Sequence, residues 1–157
     1  MEPTPKGEEM NKFIVTLLSL ILLAGCSGSR PDLGINNGRL MPCPKTPNCV
    51  SSQADDEKHY TEPLRFMGTQ QEAKSHILKM LESEQRAKPL EIRNDYIRAE
   101  FTSALFGFTD DVEFYFPENQ SGETIIQIRS ASRIGYSDLG VNRKRVDQIR
   151  NKLKGNL

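Results

Sequence analysis

Two periodicities alternate along this chain. From residue 96, apolar and polar positions switch at every step: Ile97, Ala99, Phe101, Ser103 and Leu105 are interleaved with Tyr96, Arg98, Glu100 and Thr102. The period of two returns at Val112, Phe114 and Phe116 against Asp111, Glu113 and Tyr115, and again at Ile126 and Ile128 against Gln127 and Arg129. Successive side chains of a strand point to opposite faces, so these segments predict antiparallel strands with one apolar and one charged face. Asn119-Gln120-Ser121-Gly122 is a turn signal. Leu90–Arg93 predicts a further strand, and Pro63–Met67 a short edge strand. The second period is helical. Thr69-Gln70-Gln71-Glu72 is a capping box, followed by Ala73, Ile77, Met80 and Leu81 on one stripe. Between Asn142 and Leu153, Val146, Ile149 and Leu153 share a helical face. An apolar sheet face needs a cover, and two amphipathic helices supply it. The expected fold is therefore α+β. It is a two-layer sandwich of an antiparallel sheet, four to five strands, with both helices on the Phe101/Phe114/Ile128 face.

The N-terminal pattern belongs to neither class. Phe13 to Ala24 is apolar except for Thr16 and Ser19. This is short of the roughly 20 residues that cross a bilayer, and it has the length of a signal-peptide core. It ends in Leu23-Ala24-Gly25-Cys26, which resembles the bacterial lipobox, where a peptidase cuts before a cysteine that becomes lipidated. Residues 1–9 carry Glu2, Glu8 and Glu9 against Lys6, the wrong charge for a signal peptide, so Met10 is the expected translation start. The reading is residues 1–25 as signal peptide, 26–40 as lipidated cysteine and flexible tether, and 41–157 as one globular domain. Gly, Ser, Asn and Pro dominate 27–40, the composition of a tether. By analogy with other bacterial lipoproteins, Ser27 directs the protein to an outer membrane, facing the periplasm.

Cys43 and Cys49 flank Pro44 and Pro47. In an oxidising compartment such a proline-stiffened loop favours a disulfide. With Cys26 acylated, no thiol is left over. The other readings are a zinc site drawing on His59 and His76, and Cys49 as a nucleophile with His59 as base. The first lacks four convincing ligands and the second an orienting group; no metal and no cofactor are expected.

The formal net charge is zero, so no overall field steers the chain to nucleic acid. Charge matters locally. Arg98, Glu100, Glu113 and Arg129 should share the polar sheet face, either as a solvated ladder of ion pairs or as a binding surface on an uncovered sheet. If Asn142 caps the last helix, Arg143, Lys144 and Arg145 crowd a turn that is already positive. Pairing with Asp110, Asp111 or Asp138 would offset the repulsion. So would an external anion at the helix start, with Arg129 and Arg133 adding bidentate donors.

Cys43-Pro44, Pro47 to Ser52, Ala99-Glu100-Phe101, Leu105 to Phe108, Asp110 to Phe114 and the long block Ile128 to Val146 form a set of motifs. Together they resemble the bacterial domain-of-unknown-function family numbered 1499. The resemblance spans roughly residues 41–155; it implies a domain boundary and no chemistry. The residues themselves favour a membrane-anchored lipoprotein of the cell envelope, a non-catalytic binding or structural module. Its partners would be the membrane, through the acyl anchor, and an envelope protein, a glycan or an anionic ligand. The candidate site comprises Arg98, Glu100, Asp111, Glu113, Arg129, Arg133, Asn142 and Arg143. The alternative is a periplasmic hydrolase or transferase using the same carboxylates as bases and the arginines as oxyanion stabilisers.

Overall fold

The computed structural model describes residues 28–104, 107–118 and 122–154. Cys26, the apolar run before it, Leu105 and most of the Asn119–Gly122 turn lie outside the described residues. In chain order the elements are β1 (Ile35–Asn36), β2 (Arg39–Leu40), β3 (Cys49–Ser51), β4 (Leu64–Met67), α1 (Gln70–Ser83), β5 (Ala87–Ile92), β6 (Tyr96–Thr102), β7 (Thr109–Tyr115), β8 (Glu123–Ser132) and α2 (Val141–Lys154).

The main sheet has six strands in the order β3-β8-β7-β6-β5, with β4 also paired to β8. All its ladders are antiparallel. The ten-residue β8 is the spine: β7 lines one edge, while β4 (against 123–126) and β3 (against 129–131) share the other. Pro89 sits in edge strand β5, where a missing N–H is tolerated, and the β5 register shifts between Pro89 and Glu91.

The period-two segments fall in register. Ile97 faces Phe114, which faces Ile128, and Ala99 faces Val112. These side chains join Ala73, Ile77 and Leu81 of α1 and Val146, Ile149 and Leu153 of α2 in one buried core. Thr69 caps α1 as expected, with the reciprocal Glu72 bond present.

Three expectations need correction. The sheet has six strands rather than four or five, because Cys49–Ser51 pairs with Arg129–Ala131. Part of the stretch read as a tether, residues 35–40, is built into the domain: β1 and β2 pair as a hairpin, and Leu40 is buried. Its turn is Asn37-Gly38, both with positive φ (49° and 74°), the conformation a tight hairpin requires. Finally, Asn142 is not a cap, because α2 begins at Val141 and Asn142 lies inside its first turn.

Candidate functional site

The charged side chains predicted for the second sheet face are all there, in rows fixed by register. Arg98 lies opposite Glu113, and Glu113 opposite Arg129. In the next row Glu100 lies opposite Asp111. Two acids directly opposed across strands repel, and two arginines resolve it. Arg133, just beyond β8, donates from Nε to Asp111 Oδ2 at 2.7 Å and from Nη2 to Asp111 Oδ1 at 2.9 Å, and it also bonds Glu100 Oε1. Arg98 reaches diagonally past its register partner and donates to Asp111 Oδ1 from Nε at 3.0 Å and Nη2 at 2.8 Å. That leaves Glu113 to Arg129, whose Nη1 donates to Oε2 at 3.0 Å, while the Tyr96 hydroxyl donates to Oε1 at 2.7 Å.

This face is not solvated. Arg98, Asp111 and Arg129 are buried, and Glu113 is 0 % exposed. The expected solvated ladder is instead an internal lattice, and its cover includes the N-terminal segment. Arg30 Nη2 donates to Glu100 Oε1 at 3.3 Å. A Cβ on Gly28 would stand 3.0 Å from Arg133 Cβ, one on Gly34 3.6 Å from Arg93 Nη2, and one on Gly38 3.9 Å from the Tyr115 hydroxyl. Glycine at 28 lets the backbone lie that close.

Burial and the arginines push the proton affinities of the carboxylates in opposite directions. For Glu113 desolvation dominates over Arg129 and the Tyr96 bond, so its pKa is raised. Burial also works against the Asp111 and Glu100 anions. There the arginines win: hydrogen bonds from Arg133 and Arg98 hold Asp111 below the usual range, and Arg133 with Arg30 does the same for Glu100. Burial, then the neighbouring Glu113 charge, pushes the Tyr96 phenol up.

Asn142 and Arg143 lie apart from this lattice, on α2. Asn142 is buried; its Oδ1 accepts from Ser130 Oγ at 2.5 Å and Arg145 Nη1 at 2.6 Å. Its Nδ2 lies 3.1 Å from the Asn48 carbonyl, 3.0 Å from Ser132 Oγ and 2.8 Å from Asp138 Oδ2. The side chain therefore pins α2 to β8 and to the disulfide loop. The anion at the helix start is Asp138, which accepts from Gly140 N at 2.9 Å and Asn142 N at 2.8 Å. Two of the three clustered cations are engaged separately, and Lys144 is exposed. Arg145 pairs with Asp110 at 2.5 Å and lies over the Phe101 ring, and Arg143 donates to the carbonyls of Tyr60 (2.8 Å) and Lys58 (2.9 Å). Arg129, Arg133 and Arg143 thus do not converge on one anion position.

The Cys43–Cys49 disulfide is present, with the Cα atoms 5.6 Å apart. Cys49 therefore carries no free thiolate in this oxidised state. His59 is engaged by the Asp56 carboxylate at 2.8 Å and lies 3.2 Å from the Thr46 carbonyl. No group of three His, Cys, Asp or Glu side chains among the described residues could hold a metal. No described helix is long and apolar enough to cross a membrane.

Fold and sequence together define a class: a small mixed α/β domain carried behind a bacterial lipid anchor. Residues 10–27, with Cys26 inside them, match the prokaryotic membrane lipoprotein lipid attachment site. Residues 39–153 match the family described as a protein of unknown function, DUF1499, and the chain belongs to that family. No curated protein matches it.

Proposed function

We infer that this lipoprotein is a binding or structural module of the bacterial envelope, facing the periplasm from the outer membrane, and not an enzyme. The single observation that carries the reading is the state of the carboxylates. Glu100, Asp111 and Glu113 are all tied up by arginine, so none is offered to a substrate as a base. The raised proton affinity of Glu113 favours the hydrolase alternative, but a general base must reach a substrate proton. Glu113 is sealed inside, with Tyr96 on one oxygen and Arg129 on the other. The packing of both helical stripes in one core supports the two-layer sandwich, and Ser27 supports the outer membrane.

A binding role needs another surface. A groove of about 570 Å³, lined in part by Tyr60, Glu62, Arg65, Arg143, Asp147 and Arg150, is the candidate. Its cations outnumber its acids, which suits an acidic protein segment or glycan. The test pairs Arg143→Ala with Arg129→Ala in the producing bacterium. Arg143→Ala should stay folded, with only a small loss of thermal stability from its two carbonyl bonds, and should reproduce the envelope phenotype of the deletion strain, while Arg129→Ala should fail through instability. Hydrolytic turnover abolished by Glu100→Gln in a folded protein would overturn the non-catalytic reading.

A further inference from the structure

We propose that the loop from Ile134 to Val141 is a second membrane contact, seated in the lipid surface that takes the acyl chains of Cys26. This contact rests on the lipid anchor and adds a docking face to it.

Chain length fixes the location. Cys26 precedes Gly28 by two residues, which span at most about 7 Å. Gly28 lies against the base of this loop: a Cβ there would meet Ile134 Cγ2 at 2.8 Å and Arg133 Cβ at 3.0 Å. Acyl chains on Cys26 therefore enter the bilayer beside Ile134.

The loop presents what an interface would take. Leu139 is 95 % exposed, Tyr136 72 % and Val141 46 %. Phe108, also exposed, borders a hollow of about 280 Å³ that Ile134, Gly135 and Val141 also line, which places it beside the two ends of the loop. Tyrosine suits a boundary with an apolar body and a wet tip. Exposed Lys144, one turn into α2, adds a cation for anionic headgroups.

Backbone conformation is a second, independent sign. Leu139 has φ 54°, a left-handed conformation that a branched side chain rarely adopts. It stands between Asp138, which accepts from Gly140 N, and Gly140 itself, at φ 80°. Glycine or asparagine would hold this turn at less cost, yet a leucine stands at its tip with almost its whole surface outside the fold. Such strain at an exposed apolar tip points to a contact beyond the domain.

The chain has no tryptophan, so a single introduced indole reports depth. The full lipidated protein, carrying either Leu139→Trp or Met67→Trp, is reconstituted into phosphatidylethanolamine/phosphatidylglycerol vesicles with and without acyl-brominated phospholipid. Met67 pairs with Glu123 at the opposite end of β8, roughly 30 Å from Ser132 at the rise of a strand. Emission from the Leu139→Trp protein should shift to the blue and fall at least twofold with brominated lipid, while emission from the Met67→Trp protein should be unaffected. Vesicle flotation is scored in parallel. Flotation with position 139 unquenched, or with both positions quenched alike, overturns the docking face but leaves the anchor standing. Failure to float overturns both. A blue shift at position 139 in native membranes but not in pure lipid assigns the patch to a protein partner and overturns the lipid contact.

Discussion

Replacing Arg129 with methionine keeps much of the side-chain volume and removes one half of a buried ion pair. Glu113 would then be a fully enclosed carboxylate with only the Tyr96 hydroxyl bonding it. Breaking a buried pair from one side costs about 3–5 kcal/mol, because the remaining charge is uncompensated. At about 4 °C per kcal/mol for a domain of this size, the midpoint of thermal unfolding should fall by about 12–20 °C. Urea unfolding followed by circular dichroism gives the free energy directly. Glu113 also makes the loss depend on pH, with a definite sign. Its folded pKa is already raised above the ordinary value of 4.5, so the folded chain holds this proton more tightly than the unfolded chain. Stability from such a group is fully present below the unfolded value and is lost as pH rises through the folded one. Without Arg129 the folded value rises further and the window widens. Arg129→Met should therefore recover up to about 1.4 kcal/mol per pH unit on going from pH 8 toward pH 5.

The double variant Arg129→Met/Glu113→Gln separates charge burial from packing. The amide oxygen still accepts from Tyr96, and neither substituted position holds a charge. Arg129 Nε has no hydrogen-bond partner among the described residues, so the native pair is itself incompletely satisfied. A neutral replacement then loses little. The double variant should be more stable than Arg129→Met alone, with a coupling of at least about 1.5 kcal/mol between the sites. A single-variant cost below about 1 kcal/mol, unchanged between pH 5 and pH 8, would refute the buried-charge reasoning. So would two costs that simply add, within the roughly 0.5 kcal/mol expected of independent sites.

The remaining predictions concern the other supports of the fold. Asp138→Ala removes the acceptor at the start of α2 and should cost about 1–2 kcal/mol, with faster amide exchange confined to the first turn of that helix. Cys43→Ser/Cys49→Ser opens a loop of sequence separation six and should lower stability by about 2 kcal/mol in urea; native protein should react with a thiol reagent only after reduction. Asp111 and Glu100 have folded pKa values below their ordinary values of 3.8 and 4.5, so their stability is present above those values and is lost as pH falls through the folded ones. Asp111→Asn should flatten the fall in urea midpoint between pH 5 and pH 3; an unaltered acid limb would show that the arginine bonds to Asp111 do not support the fold.

The strands and helices were legible because they obey elementary periods. Ile97, Phe114 and Ile128 could be placed on one face from spacing alone, and Thr69 and Glu72 marked a helix start to within a residue. The charged residues could be assigned to the opposite face by the same rule. Their burial could not, because period two says which way a side chain points and not what lies over it. The signal for the cover was Asn37-Gly38, a hairpin dipeptide set in a stretch whose glycines and serines read as a spacer. β3 is not legible because three residues that start at the closing cysteine of the disulfide loop show no alternation; only the ladder to Arg129–Ala131 makes them a strand. The sequence suggests Asp138 as a charge partner for arginine. Its role as acceptor for Gly140 and Asn142 depends on Gly140 turning the backbone to positive φ.

That cover changes how the domain sits on its membrane. A flexible tether of about 14 residues would let the domain wander about 20 Å from its lipid, by the scaling of glycine-rich chains. Packing from Gly28 onward leaves one residue, Ser27, between the acylated cysteine and the folded body. Diffusive freedom is then replaced by a fixed approach, because whichever surface surrounds Gly28 must lie at the bilayer whenever the anchor is inserted. That surface carries Ile134, at the base of the loop that holds Tyr136 and Leu139, and Arg133, with its bonds to Asp111 and Glu100. The close-packed residue after the anchor therefore links membrane attachment to the charge lattice. Lengthening the connection with a Gly-Ser insert between Ser27 and Gly28 should leave folding unchanged and weaken quenching at position 139. A bulky side chain at Gly28 should disturb both, since it would strike Ile134 and Arg133 together.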